Sequence, residues 1–153
     1  MIEERSAGAL VFRIINRKVQ YLLLNSRYKR NYWDIPKGRI MKNEDPKITA
    51  IREIREETGL WNVEIIDGFE EKVDYYFWRS DIHDIVHKEV IIFLAISMSG
   101  NVKLSPEHAD YKWVEFEEAK RLLAKSFIPV LEKANNFIYP FFIITRQREK
   151  NFN

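Results

Sequence analysis

The chain has 153 residues, of which 46% are hydrophobic and 31% charged, and its formal net charge is +2. A chain of this length and composition can bury a substantial core, and it folds most simply as one domain. It has no cysteine, which excludes disulfides and thiolate metal sites and suits a reducing cytoplasm. The small net charge gives no reason to expect DNA as a partner. The longest apolar runs, residues 90–96 and 137–144, are far shorter than the about 20 residues that span a bilayer, so we expect a cytoplasmic protein without a membrane partner.

Strand-like and helix-like segments alternate along the chain. The first two strand-like runs flank Asn16-Arg17 and predict a hairpin, and Pro36-Lys37-Gly38 predicts a turn. Apolar or β-branched residues mark six strand-like segments, which are residues 7–15, 18–25, 32–35, 63–78, 86–97 and 110–116. Helical patterns cover residues 45–58 and 117–125 and a C-terminal extension of about 126–150. With no linker or repeat between them, these elements predict a single α/β domain over residues 1–153, layered helix–sheet–helix.

The segment from 45 to 59 carries the signals of a well-capped helix. Asp45 is a good N-cap, Pro46 suits the first helical position, and Gly59 stands where a left-handed residue would end the helix. Isoleucines that recur every third residue predict the buried face, and they are Ile48, Ile51 and Ile54.

Three glutamates of this helix, Glu53, Glu56 and Glu57, are predicted to share one patch on the opposite side. The pair Glu53 and Glu57 at i,i+4 costs the helix a few tenths of a kcal/mol, and acids in the last turns oppose the helix dipole. Arg52 can offset part of this by pairing with Glu56. A divalent cation would remove the repulsion, and carboxylate oxygens are the ligands that Mg²⁺ prefers. Since no Cys or His accompanies the cluster, zinc is not expected.

Residues 38–60 resemble the Nudix box at every defined position. The box reads Gly, five residues, Glu, seven residues, Arg-Glu, an apolar residue, any residue, Glu-Glu, any residue, Gly and an apolar residue. Its seven fixed residues would agree by chance at roughly one starting position in a hundred million. The resemblance implies the Nudix α/β/α sandwich around a mixed β-sheet, and a hydrolase that acts on phosphoric anhydride bonds.

The resemblance also implies a role for each matching residue. Glu53, Glu56 and Glu57 would bind the catalytic Mg²⁺, for which Mn²⁺ could substitute. Arg52 and Glu44 would orient this network, while Gly38 and Gly59 would shape the loop–helix–loop. Bound Mg²⁺ would neutralise phosphate charge and activate a water, and Glu53 or Glu107 would accept its proton. The residues alone leave open which of these two carboxylates is the base.

Features outside the box resemble the dinucleoside (diadenosine) tetraphosphate hydrolases within this family. They are Ser6-Ala7-Gly8-Ala9-Leu10-Val11-Phe12-Arg13, Trp33-Asp34-Ile35-Pro36-Lys37-Gly38, Ser105-Pro106-Glu107-His108, Tyr111-Lys112-Trp113 and Glu117-Glu118-Ala119. The similarity covers about residues 6–125. It implies asymmetric cleavage of diadenosine tetraphosphate to ATP and AMP.

Five residues outside the helix are candidates for contact with metal or substrate. Lys37 and Lys88 could offset phosphate charge, and Glu107 could be a further metal ligand. Tyr76 is the predicted adenine-stacking residue, and Tyr32 stands where some family members have a histidine that contacts the base. None of the three histidines is assigned to catalysis.

Other functions are compatible with the same residues. The substrate could be a damaged nucleoside triphosphate, ADP-ribose or another nucleoside diphosphate derivative, or the 5′-triphosphate end of RNA, with basic residues of 146–150 as contacts. The chain could also be a non-catalytic nucleotide-sensing module. The apolar run 137–144 could pack on the domain or form a dimer surface, so a monomer and a homodimer are both expected outcomes.

Overall fold

The computed structural model describes residues 1–140 of the chain. They form seven strands, namely β1 (Ile2–Ile15), β2 (Lys18–Ser26), β3 (Trp33–Asp34), β4 (Lys37–Arg39), β5 (Val63–Arg79), β6 (Asp84–Ser97) and β7 (His108–Val114). The helices are α1 (Pro46–Thr58), α2 (Phe116–Leu122) and α3 (Ile128–Ile138), with a 3₁₀ turn over Lys125–Phe127. The part of the predicted C-terminal extension beyond residue 140 lies outside the described residues. No helix within residues 1–140 is long and apolar enough to cross a membrane.

The seven strands form one mixed sheet with β1 near its centre. The main order is β3-β2-β1-β6-β5, while β4 pairs with β1 and β7 pairs with β2. Strand β1 runs parallel to β6 and antiparallel to β2 and β4, so the mixed sheet implied by the resemblance is confirmed. The predicted hairpin at Asn16-Arg17 joins β1 to β2, and both turn residues have positive φ angles.

Strand β1 pairs with two different strands, β2 and β4, along the same edge, so the sheet is forked there. Its C-terminal half pairs with β2, whereas Ser6, Ala7 and Gly8 pair with β4. The sequence prediction of a turn at Pro36-Lys37-Gly38 is therefore wrong for Lys37 and Gly38, which belong to β4. A three-residue strand is too short to show alternation, and it forms here because Gly8 has no side chain. A Cβ at Gly8 would overlap the Pro36 carbonyl oxygen.

Helices cover both faces of the sheet, which confirms the predicted α/β/α layers. Because strand side chains alternate between faces, each strand contributes to two cores. Helix α1 packs on the face that carries Ala7, Ala9, Leu22 and Phe93. Helices α2 and α3 pack on the opposite face, against Leu10, Phe12, Leu23 and Ile92.

The buried face of α1 differs from the one predicted from isoleucine spacing. Ile54 is fully buried as predicted, but Ile48 is 55% exposed and Ile51 only partly buried. The helix instead turns Ala50, Ile54 and Glu57 towards the sheet, which follows i, i+4, i+7 spacing. Glu57 is therefore not on the solvent side but 7% exposed at the edge of the core.

Candidate active site

Helix α1 begins and ends at the residues that the sequence indicates. The Asp45 carboxylate accepts a hydrogen bond from the Lys47 amide (2.9 Å), which satisfies one of the free N–H groups of the first turn. Gly59 adopts the left-handed conformation with φ +68° and donates its N–H to the Arg55 carbonyl. These caps fix the last two turns of α1, which carry the acidic residues.

Arg52 connects the acidic residues of the box. Its guanidinium donates two hydrogen bonds to the Glu44 carboxylate (both 2.9 Å), one to Glu53 (2.7 Å) and one to Glu56 (3.3 Å). It also donates to the Arg39 carbonyl oxygen (3.0 Å). A planar group with several fixed donors can hold three carboxylates in defined positions at once, which a lysine could not do.

Glu44 anchors this network to the loop that precedes α1. Besides Arg52, its carboxylate accepts hydrogen bonds from the Thr49 hydroxyl (2.7 Å) and the Met41 amide (3.1 Å). These bonds, that of Arg52 first, lower the pKa of Glu44 to about 2. Glu44 thus stays charged across the neutral range and serves as a fixed counterion for Arg52.

Glu53 and Glu57 lie against each other one helical turn apart. Burial first, and then the hydrogen bond and negative charge of Glu57, raise the pKa of Glu53 to about 7. Gly38 provides the space for this pair, since a Cβ at that position would overlap the Glu53 carboxylate. Two carboxylates forced together at low exposure are a site where a proton or a cation is held.

Glu57 also has partners from two distant segments. Its carboxylate accepts hydrogen bonds from the Lys37 amide (3.3 Å) and from Nε2 of His108 (2.6 Å). The Glu57 hydrogen bond raises the pKa of His108. No role for His108 follows from the sequence, although His108 ends the Ser-Pro-Glu-His motif. A contact between residues 51 positions apart has no local signal.

An open cavity of about 600 Å³ collects these groups. It is lined by Lys37, Gly38, Arg39, Glu53, Glu56, Glu57, Ser105, Pro106 and Glu107. The loop before β7 brings Glu107 to the rim, since the Arg27 amide donates to the Glu107 carbonyl (3.0 Å). Four predicted metal ligands therefore line one cavity.

The donor chemistry of this cavity fits a magnesium ion. Within residues 1–140, no three acidic or histidine side chains form a closed metal cage. Mg²⁺ does not need one, because it keeps several waters and is completed by substrate phosphates. A cation would relieve the repulsion from Glu57 that contributes to the raised pKa of Glu53, and the absence of a side chain at Gly38 leaves the space that the Glu53 carboxylate occupies.

A second cluster, cationic and aromatic, lies on the α2/α3 side of β4. The Lys37 ammonium pairs with Asp34 (2.8 Å). Burial opposes its charge, but the nearby Asp34 carboxylate outweighs this and the pKa of Lys37 is raised. Burial and the charge of Lys37 lower the pKa of Lys88, and burial raises those of Tyr32 and Tyr75. We call these five residues the Lys37 cluster.

Tyr76 lies away from the Lys37 cluster. Tyr75 is paired directly with Lys88 between β5 and β6, and Tyr76 with His87. Because paired residues share a face and successive residues alternate, Tyr76 points to the other side of the sheet. There its ring stacks on His87 with 4.5 Å between centroids. The aromatic of β5 that joins the predicted substrate contacts is Tyr75.

This arrangement of a capped acidic helix over a forked mixed sheet is that of a known hydrolase family. The family model of the NUDIX domain matches residues 4–133, and the chain belongs to the Nudix family. It is a Nudix hydrolase. Enzymes of this family generally use divalent metal ions such as Mg²⁺.

Two named relatives are similar to the chain over most of its length. The chain is 31% identical over 145 residues to the asymmetrical bis(5′-nucleosyl)-tetraphosphatase of Sus scrofa, covering 88% of this chain and 95% of the relative. It is 32% identical over 145 residues to the Mus musculus protein of that name, with the same coverage. Among solved structures, a binary complex of the C. elegans Ap4A hydrolase superposes with a TM-score of 0.79 at 28% identity, over 90% of this chain and 99% of that one.

Proposed function

We propose that the chain is a Mg²⁺-dependent asymmetrical dinucleoside tetraphosphatase, which cleaves diadenosine tetraphosphate to ATP and AMP. The supporting observation is the placement of β4 between two groups of side chains. On one side Gly38 leaves room for the Glu53 carboxylate, which lies against Glu57, and on the other Lys37 joins Tyr75 and Lys88. A polyphosphate that carries a base at its end needs both kinds of contact. Relatives bearing this activity in their names cover most of the chain.

The acidic cavity would hold the metal. Glu53, Glu56, Glu57 and Glu107 are the proposed ligands, and Arg52 and Glu44 position them. Bound Mg²⁺ supplies charge neutralisation of the phosphates and activation of water. Glu56 is the most exposed partner of Arg52, with 58% of its side chain accessible, so it can leave the weaker of the Arg52 hydrogen bonds at little cost.

A side-chain carboxylate would accept the proton that the attacking water loses. In the proposed reaction a water oxygen attacks one phosphorus, its proton passes to a carboxylate, and the bond to the leaving phosphate oxygen breaks in line. Glu53 or Glu107 is the acceptor. Burial and the neighbouring Glu57 raise the pKa of Glu53 to about 7 in the absence of a cation, so Glu53 would accept the proton only where its carboxylate does not itself ligate Mg²⁺. Arg52 would keep its carboxylate from rotating, since the two are 2.7 Å apart.

The Lys37 cluster would bind the rest of the substrate. Lys37 and Lys88 would contact phosphate oxygens, and Tyr32 or Tyr75 would stack on adenine. Stacking of a base on an aromatic side chain contributes roughly 1–3 kcal/mol and tolerates any base. Lys88 has no ion-pair partner within the described part of the chain, which leaves its ammonium available for a phosphate.

The test is a magnesium-dependent hydrolysis panel with separated products. It compares diadenosine tetraphosphate, ADP-ribose, canonical and oxidised nucleoside triphosphates, and triphosphorylated RNA. We expect the highest kcat/KM for diadenosine tetraphosphate, with ATP and AMP in equal amounts. A higher value for another substrate would refute the proposed specificity but keep the hydrolase. Absence of turnover of any of them by folded, magnesium-loaded protein would refute the proposed catalysis and favour a nucleotide-sensing module.

A further inference from the structure

The segment Ser105–His108 is bonded to the last turn of α1 at two points, and both points are on Glu57. The Ser105 amide donates a hydrogen bond to the Glu57 backbone carbonyl (3.2 Å). Nε2 of His108 donates to the Glu57 carboxylate (2.6 Å). Because Glu107 lies between these two contacts, the segment that carries Glu107 is attached to the helix that carries the other proposed metal ligands.

The same segment is also held from the side of β2. The Arg27 amide donates to the Glu107 carbonyl (3.0 Å), and the Arg27 side chain donates from Nε to the Pro106 carbonyl (2.7 Å). Ser26, at the end of β2, is paired with His108 at the start of β7. The backbone on both sides of Glu107 is therefore fixed between the sheet and α1, and His108 is the side chain that joins it to the Glu57 carboxylate.

The bond from His108 is the shorter of the two that the Glu57 carboxylate accepts from outside its helix. The Lys37 amide donates to one oxygen at 3.3 Å, and His108 donates to the other at 2.6 Å. Hydrogen bonds to a carboxylate become stronger as they shorten, and both side chains of the short bond are nearly buried. Each carboxylate oxygen has two acceptor positions, so the oxygen bonded to His108 keeps one position for a cation.

The His108 ring has no comparable contact elsewhere in the described part of the chain. Its Nδ1 is buried beside the Asn25 backbone without a hydrogen bond of normal geometry. A buried polar atom without a partner does not stabilise the fold. The hydrogen bonding of this side chain is thus directed to Glu57, which favours a role at the acidic cavity over a role in folding.

We propose that His108 is a positioning residue of the active site, which holds the Glu57 carboxylate in a fixed position relative to Glu107 so that both face one cation. The inference rests on the proposed function, because it concerns the metal site assigned there. Metal ligands are oriented by hydrogen-bond partners that do not touch the metal, and losing such a partner costs about 10- to 100-fold in metal affinity or activity. His108 acts in this way on a ligand 51 positions away in sequence.

The experiment compares His108→Asn with His108→Gln. The amide nitrogen of glutamine can take the place of Nε2 and donate to Glu57, whereas the shorter asparagine reaches only the place of Nδ1. Calorimetry gives the Mg²⁺ affinity of each folded protein, and its thermal midpoint and its kcat/KM for diadenosine tetraphosphate are measured beside it. We expect His108→Asn to lower the Mg²⁺ affinity and kcat/KM about tenfold or more. His108→Gln should restore most of both, with a similar thermal midpoint.

His83→Asn is the matched control. His83 lies in the turn between β5 and β6 with a φ of 48°, a conformation that asparagine tolerates, and the variant should match the wild type. Equal losses in His108→Asn and His108→Gln, or no loss in either, would overturn the proposed role, because neither result depends on a donor at the place of Nε2.

A double substitution tests whether His108 acts through Glu57. When His108→Asn is added to Glu57→Gln, we expect little further loss of Mg²⁺ affinity, since the carboxylate that His108 holds is already absent. Fully additive losses would contradict the proposal. If the wild type does not hydrolyse diadenosine tetraphosphate, the proposed function fails, and the Mg²⁺ titrations of the same variants still decide the role of His108.

Discussion

Two glutamates of the same motif have opposite acidities because their surroundings differ. Arg52, Thr49 and the Met41 amide all stabilise the charged form of Glu44, and its pKa falls to about 2. Burial and Glu57 both disfavour the charged form of Glu53, and its pKa rises to about 7. One carboxylate is a permanent structural charge, and the other exchanges protons near neutral pH.

The raised pKa of Glu53 makes magnesium binding depend on pH. Below pH 7 Glu53 is protonated in the metal-free protein and must lose that proton to ligate Mg²⁺. The affinity should therefore fall as the pH falls from 7 to 5, by up to about tenfold per pH unit, and change little above pH 8. Isothermal titration calorimetry at several pH values measures this, and Glu53→Gln should lose the dependence. An affinity for Mg²⁺ that stays constant from pH 5 to 8 would contradict the assignment.

Arg52 is expected to act through the glutamates that it orients. Lysine at this position keeps the charge but cannot reach Glu44, Glu53 and Glu56 together. We expect Arg52→Lys to lower both kcat/KM and Mg²⁺ affinity by about 10- to 100-fold, as for other groups that orient metal ligands. Arg55→Lys is the control, because Arg55 lies three residues on over the Trp61 ring. Equal effects of the two substitutions would show that Arg52 has no special role.

At the scale of the element, the capped ends of α1 hold the acidic turns in place. Gly59 has φ +68°, and a Cβ there would be 3.0 Å from that of Lys103. We expect Gly59→Ala to reduce the free energy of unfolding by about 1–2 kcal/mol, the cost of a left-handed non-glycine residue. Urea denaturation measures this change. A free energy of unfolding equal to that of the wild type would show that a side chain at residue 59 does not strain the helix cap.

The elements differ in how well local sequence predicts them. Helix α1 has strong sequence signals at both ends, Asp45 and Gly59, and these predict its limits. The isoleucine spacing predicts the wrong buried face for α1. Ile48 and Ile51 share the spacing of the buried Ile54 but lie outside the core, with Trp61 along an outer cleft. Strand β4 was missed, since its pairing depends on the absence of a side chain at Gly8 rather than on any pattern of its own.

For the whole molecule, the site is assembled from segments that are distant in sequence. The box predicts the acidic cavity, because most of that cavity comes from one loop and helix. The contact of His108 with Glu57 depends on how the loop before β7 folds back. Strand alternation places Tyr75 and Tyr76 on opposite faces, but only the β5–β6 register decides which face carries Lys88.

Measurements of KM can decide whether Tyr75 or Tyr76 stacks on adenine. Tyr75→Leu keeps an apolar side chain against the core but removes the ring from the Lys37 cluster. We expect it to raise KM for diadenosine tetraphosphate about fivefold or more, the loss of roughly 1 kcal/mol or more of stacking. Tyr76→Leu should leave KM close to that of the wild type, because Tyr76 lies on the other face. The reverse pattern would support Tyr76 as the adenine-stacking residue.

The most direct test of the central claim is hydrolysis of diadenosine tetraphosphate by the wild type and by Glu57→Gln, with magnesium present and products separated. The acidic cavity as the catalytic centre predicts ATP and AMP in equal amounts from the wild type. It also predicts a loss of about 100-fold or more in kcat for the variant, since Glu57 is both a proposed metal ligand and the partner of Glu53. An unchanged rate for folded Glu57→Gln would contradict the account.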